Sequence, residues 1–208
     1  MGQKVKPKLL ILTGPQGSGN HLFAKIFSSH KSVYGWKMKH NEWKGHHEEP
    51  FSLYWRKPEL LKDADPNKKY YVTSISCPYF YRKKPTIPNY EKFIKCASTV
   101  FKVQICIIGR DKNILYEQQT RVRSKHTTPI ALKNFEPLLK YNPFFISFEL
   151  FFLYGIEYCK SISNLLNFPI NTKKVKELLK YNTNKNYITK IKKGLFDKQA
   201  YRTSYIDS

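Results

Sequence analysis

Thr13-Gly14-Pro15-Gln16-Gly17-Ser18-Gly19-Asn20-His21 places three glycines within a six-residue stretch. Such a stretch suits an oxyanion. Glycine lets the backbone approach a ligand closely, and the first N–H groups of a following helix have no partner within it. Gly14 and Gly19 have the spacing of a nucleoside triphosphatase loop, G-x-x-x-x-G-K-[ST]. Asn20 and His21 stand where that loop needs Lys and Ser/Thr. The ammonium for β/γ-phosphates and the hydroxyl for Mg²⁺ are both missing. The loop therefore reads as phosphate-binding without triphosphate hydrolysis; the plain alternative is a turn that only joins a strand to a helix. Two further groups could do chemistry. His46-His47-Glu48-Glu49, on a polar stretch with Trp36, Trp43 and Trp55, offers candidate general bases. Adjacent residues cannot all face one ion, so no metal site is expected there. Arg110 can make two parallel bonds to phosphate oxygens through its guanidinium fork.

These residues need elements to hold them. Leu9–Leu12 is a short apolar run, as in a strand buried on both faces of a parallel sheet. Leu22, Phe23, Ile26 and Phe27 recur at helical spacing just after the loop. Residues 31–68 read as irregular and polar. Lys69–Ser76 and Lys102–Ile108 have strand composition. Tyr90–Ala97 is predicted as a helix burying Tyr90, Phe93, Ile94 and Ala97, after a turn-rich linker at 85–88. A further helix starts after Arg110, which puts Arg110 at the carboxyl end of a parallel strand, where ligands gather in open α/β sheets. Thr128-Pro129 opens a helix with Leu132, Phe135, Leu138 and Leu139 as its apolar positions. Phe144–Glu149 is predicted as a strand, 155–168 as a helix, and Thr172–Lys180 as helical. The alternating order implies an α/β, three-layer P-loop fold: a mainly parallel central sheet flanked by helices, in a single domain over 1–208.

Gly14-Pro15-Gln16-Gly17-Ser18-Gly19-Asn20-His21-Leu22 resembles the 5′-phosphosulfate loop of the sulfotransferase family. His30–Gly35, Ser76-Cys77-Pro78-Tyr79 and the strand–Arg110-Asp111–helix segment also resemble that family, in its order. The resemblance implies 3′-phosphoadenosine 5′-phosphosulfate (PAPS) as cofactor and sulfuryl transfer to a hydroxyl or amine. It implies that Gly14, Gln16, Gly17, Ser18, Gly19, Asn20 and His21 hold the 5′ end. Arg110 then holds the 3′-phosphate, with Gln118 where the family has its paired Ser and with Arg123 on the same helix. The base falls among His46, His47 and Glu48. Several positions depart from the family: Asn20 replaces Thr, Lys112 replaces Pro, and neither Gly17 nor Ser76 is the Lys found in many members.

At 208 residues and 24.6 kDa, with 41% hydrophobic and 15% aromatic residues, the chain can bury a real core. Its net charge is +22. Only six of its basic residues are Arg, and the charge is spread along the chain. It reads either as attraction to an anionic partner (a sulfonucleotide, an anionic glycan or nucleic acid) or as drift of a composition in which Lys, Asn, Ile and Tyr are all abundant. No recognised nucleic-acid motif accompanies it. Two other readings follow: a degenerate sulfotransferase-fold binding or structural module, and a basic P-loop protein acting on nucleic acid. Cys77, Cys96, Cys106 and Cys159 lack metal spacing and read as thiols. The apolar runs are too short for a leader or a membrane span, so a cytoplasmic location is expected.

Overall fold

The computed structural model describes residues 5–36, 49–82, 84–185 and 187–188, the side chain of Arg123 excepted. β1 (Lys8–Pro15) leads through the glycine loop into α1 (Asn20–Ser28). β2 (Val33–Tyr34) is short; α2 (Ser52–Arg56) and a 3₁₀ turn (Pro58–Asp63) precede β3 (Tyr70–Cys77). A small hairpin, β4 (Tyr79–Tyr81) with β5 (Lys84–Thr86), leads to α3 (Tyr90–Val100) and β6 (Lys102–Gly109). Then come α4 (Lys112–Arg123), α5 (Thr128–Phe135), a 3₁₀ turn (Glu136–Tyr141), β7 (Phe144–Ser147), α6 (Phe148–Leu166) and α7 (Thr172–Leu179).

The main sheet has the order β2-β3-β1-β6-β7, and every pairing in it is parallel. β1 is central and fully covered, which is why Leu9–Leu12 shows no polar alternation. Leu10 and Leu12 face one core, with Phe23 and Phe27 of α1, Phe151 and Ile162 of α6 and Val175 of α7. Leu9 and Ile11 face a second core, with Trp55, Phe93, Ala97 and Phe135. Trp55 stacks on Phe93 at 3.7 Å between ring centroids. The fold is therefore α/β and three-layered, a mainly parallel sheet between helices. The chain turns to opposite sides of β1 to reach β3 and β6. The cleft above the carboxyl end of β1 is thus a topological switch point, where open α/β sheets bind ligands.

Several boundaries differ from the sequence expectation, each for a local reason. The stretch 31–68 holds β2, α2 and a 3₁₀ turn, because Phe51, Trp55 and Leu61 are drawn into the second core. The 85–88 linker begins inside a hairpin in which Phe80 opposes Pro85. On α5 the buried residues are Ala131 and Phe135, with Leu138 buried just beyond, while Leu132 and Leu139 are exposed. β7 stops at Ser147, whose hydroxyl caps the next helix by accepting the Leu150 N–H at 3.2 Å. α6 consequently begins at Phe148 and runs through a kink at Gly155, where φ is +56°. No described helix is long and apolar enough to cross a membrane. Burial pushes the Cys77 thiol up to about 11 and the Cys159 thiol up to about 12, so neither is a thiolate at neutral pH.

Candidate functional site

The glycine loop is held by its own polar groups. The Ser18 N–H donates to the Pro15 carbonyl at 3.1 Å, closing a turn whose third residue, Gly17, has φ +87°. Only glycine adopts that angle cheaply. Gly19, at φ +104°, precedes the first turn of α1, and a Cβ there would overlap the Phe148 ring. Asn20 occupies the position of a triphosphatase lysine and is only 4% exposed. Its amide donates to the Gly14 carbonyl at 3.2 Å and to Ser76 Oγ at 2.9 Å, and its Oδ1 accepts from Ser18 Oγ at 3.3 Å. Gly14 and Ser76 are register partners at the ends of β1 and β3. Asn20 therefore ties the loop to two strands. Asn20→Ala is expected to lower stability by about 1–3 kcal/mol, because it leaves buried polar groups unpaired. Urea unfolding checks this; an unchanged midpoint would contradict it.

Arg110 follows β6 and reaches across to this loop. Its Nη1 donates to the Gly17 carbonyl at 2.6 Å and to Gln118 Oε1 at 2.8 Å. Nε and Nη2 converge on Asn184 Oδ1 at 3.0 and 2.6 Å, and Nη2 also reaches Thr183 Oγ1 at 3.3 Å. The guanidinium lies over the Phe148 ring, 4.2 Å from its centroid. Burial pulls its pKa below the ordinary arginine value, and the charge of Glu149 works the other way. Glu149 Oε1 accepts from the Asp111 N–H at 3.1 Å and from the Asn184 amide at 3.4 Å, a positioning arrangement. Asp111 caps α4 by accepting the N–H groups of Asn113 and Ile114.

A cavity of 310 Å³ opens between the loop and Arg110. Of the residues expected at a phosphate site, Gln16, Gly17, Gly19, Asn20, His21, Arg110 and Gln118 line it. Gly14 and Ser18 do not: the Gly14 carbonyl and the N–H and hydroxyl of Ser18 are turned into the loop. Gln16 is tied down from behind, with its carbonyl accepting from Gln119 at 2.8 Å and its Oε1 accepting from Thr127 Oγ1 at 3.2 Å. The side chain of Arg123, and His46, His47 and Glu48, lie outside the described residues. Arg121 does not line the cavity; it donates at 2.8 Å to the hydroxyl of Tyr187, whose ring also lies 5.7 Å from the Arg110 guanidinium. Sequence reasoning missed Phe148, Thr183, Asn184 and Gln119. Only Gln119 had a local signal, since it lies next to Gln118 in a predicted helix.

The cavity adjoins a wider groove between α1 and α7, which shares His21, Leu22, Phe148 and Thr183 with it and brings in Lys25, Lys174 and Lys180. Basic residues gather equally at the far end of the sheet, where Lys6, Lys8, Lys68, Lys69 and Lys102 line another cavity. The large net charge does not by itself single out the glycine-loop cleft. No group of three or more His, Cys, Asp or Glu able to hold a metal occurs among the described residues.

No protein-family model matches the chain, and neither does any curated protein. Among solved structures it is similar to the sulfotransferase domain from the Synechococcus PCC 7002 olefin synthase. The identity is 11% and the TM-score 0.49, covering 86% of this chain and 77% of that one. At that score and identity the likeness says nothing about chemistry.

Proposed function

We propose that the glycine-loop cleft binds 3′-phosphoadenosine 5′-phosphosulfate and that the protein transfers its sulfuryl group to a hydroxyl or amine. One observation carries this reading. A half-buried arginine at the end of β6 sits 2.6 Å from the backbone of a glycine loop that lacks the triphosphatase lysine. A site of that kind suits a ligand with two separated anionic groups. The loop and the first turn of α1 receive the 5′ end through backbone N–H groups and the helix dipole. Arg110 with Gln118 receives the 3′-phosphate. In the transfer the bond from sulfur to the 5′-phosphate oxygen breaks and a bond from sulfur to the acceptor forms. The acceptor proton passes to a base among His46, His47 and Glu48.

A second reading has its own support. No lysine is among the described residues lining the cavity itself, so with Arg110 given to the 3′-phosphate no fixed cation is left there for the leaving 5′-phosphate. A binding module with this fold that performs no transfer fits that composition.

Calorimetric titration and thermal shift separate the possibilities. Adenosine 3′,5′-bisphosphate is expected to raise the melting temperature more than AMP does, because ligands that bind only the folded state stabilise it by mass action. Equal shifts would mean that the 3′-phosphate is not read. A larger, Mg²⁺-dependent shift with ATP would replace the proposal with a triphosphate site. Bisphosphate binding without sulfation of any hydroxyl or amine acceptor would favour the binding module.

A further inference from the structure

The outer edge of β3 holds a buried acid with no part in the glycine-loop cleft. β2 covers that edge only at Tyr70 and Tyr71. Beyond them the segment leading into α2 packs against β3: Trp55 Nε1 donates to Thr73 Oγ1 at 2.9 Å, and Glu49 lies beside the same threonine. Glu49 is 3% exposed. Its Oε2 accepts the Phe51 N–H at 3.0 Å; among the described residues its Oε1 makes no hydrogen bond of ordinary geometry, although the Thr73 hydroxyl and the Ser74 N–H lie close enough to act on the carboxyl's charge. Beside it opens a cavity of 40 Å³, lined also by Trp55, Arg56, Ser74, Tyr79 and Tyr81. That is room for a few waters or one small head group.

We propose that this cavity binds the primary ammonium group of a small molecule whose other end is anionic. Glu49 Oε1 is a buried acceptor with no well-placed donor among the described residues, and a carboxylate is the natural counter-charge for a desolvated ammonium. Tyr79, Tyr81 and Trp55 add ring faces and edges of the kind that surround organic cations. Arg56 supplies the opposite charge on the solvent side. It is held over the Tyr81 ring at 4.9 Å, and its Nη1 donates to the Tyr81 hydroxyl at 2.9 Å. Its Nε donates to the Ser52 carbonyl at 3.3 Å, and its Nη2 makes no hydrogen bond among the described residues. An acid inside and a fixed guanidinium outside read both ends of a short amino acid-like zwitterion. Burial holds the Glu49 carboxyl up at about 8, so an ammonium occupant also draws the carboxyl into its charged form. Among the described residues, the other charged and titratable groups lining the cavity are Arg56 from α2 and Tyr79 and Tyr81 from β4. The site stands independently of what fills the glycine-loop cleft.

The test uses β-alanine, n-propylammonium and propionate as probes, titrated calorimetrically into the full chain above the pH at which Glu49 ionises. β-Alanine is expected to bind, and propionate is expected not to. Glu49→Gln should weaken β-alanine by at least about tenfold, since one charge-assisted contact is lost. Arg56→Ala, an exposed substitution that leaves the core untouched, should bring β-alanine down to the level of n-propylammonium. Propionate binding as well as β-alanine would overturn the proposal. So would wild-type affinity in a folded Glu49→Gln or in Arg56→Ala. Absence of binding by all three probes would overturn it too, leaving a water-filled cavity.

Discussion

Glu49→Gln is expected to stabilise the protein strongly above pH 8 and to leave it nearly unchanged below pH 4.5. The carboxyl titrates near 4.5 when unfolded and at about 8 when folded, burial being the main cause. The Thr73 hydroxyl and the Phe51 and Ser74 N–H groups oppose the rise only in part. Between those two values the folded state holds a proton that the unfolded state has released. Stability from this group is therefore complete below the unfolded value and is lost as pH rises through the folded one. Each pKa unit corresponds to about 1.4 kcal/mol, so the loss is on the order of 5 kcal/mol across the window. Glutamine keeps the acceptor for the Phe51 N–H and cannot ionise. Urea unfolding of both proteins from about pH 4 to pH 9 measures the difference, short of most phenol ionisation. A difference that stays constant with pH would mean that Glu49 is not buried as an acid.

Arg110→Ala is expected to weaken adenosine 3′,5′-bisphosphate binding by about 10- to 150-fold, the equivalent of roughly 1.5–3 kcal/mol for hydrogen bonds to a charged group. AMP binding should barely change. Lysine at this position should recover only part, since it brings charge without the fork. The structure adds two expectations that the sequence did not offer. Arg110 is not an idle strand-end cation. It joins the glycine loop, α4 and the segment at Thr183–Asn184, so its removal also lowers the stability of the unliganded protein by about 1–3 kcal/mol. Its Nε/Nη2 fork is already filled by Asn184 Oδ1, which the proposed 3′-phosphate would have to displace. Asn184→Ala should therefore tighten bisphosphate binding several-fold, about threefold to tenfold if roughly 1 kcal/mol of competition is removed. Bisphosphate binding unaffected by Arg110→Ala would place the nucleotide elsewhere. Weaker binding in Asn184→Ala would make Asn184 a ligand group instead of a competitor.

Much of this architecture was legible because its causes are local. Leu9–Leu12 and the three glycines announce a buried strand, a tight turn and a helix start; glycine alone tolerates the positive φ at positions 17 and 19. Tyr90, Phe93, Ile94 and Ala97 repeat at helical spacing, and all four are buried. Arg110 falls at the end of β6 because its strand is apolar and Asp111 is a helix cap. Other features depend on what packs from a distance. Phe148 reads as one more apolar strand residue, but the Ser147 cap turns it into the first residue of α6 and lays its ring over Gly19 and Arg110. Asn184 is 74 residues from Arg110, and no local pattern pairs them. Glu49 reads as one of several solvated loop carboxylates. Composition and period determined, from the sequence alone, the central strands β1, β3 and β6 and the helices α1 and α3, but not β2, α2 or the β4–β5 hairpin. Only the tertiary structure decided that β2 would leave most of the β3 edge open for Glu49 and that the Asn184 amide would fill the Arg110 fork, because burial and hydrogen-bond partners are set by which surfaces meet.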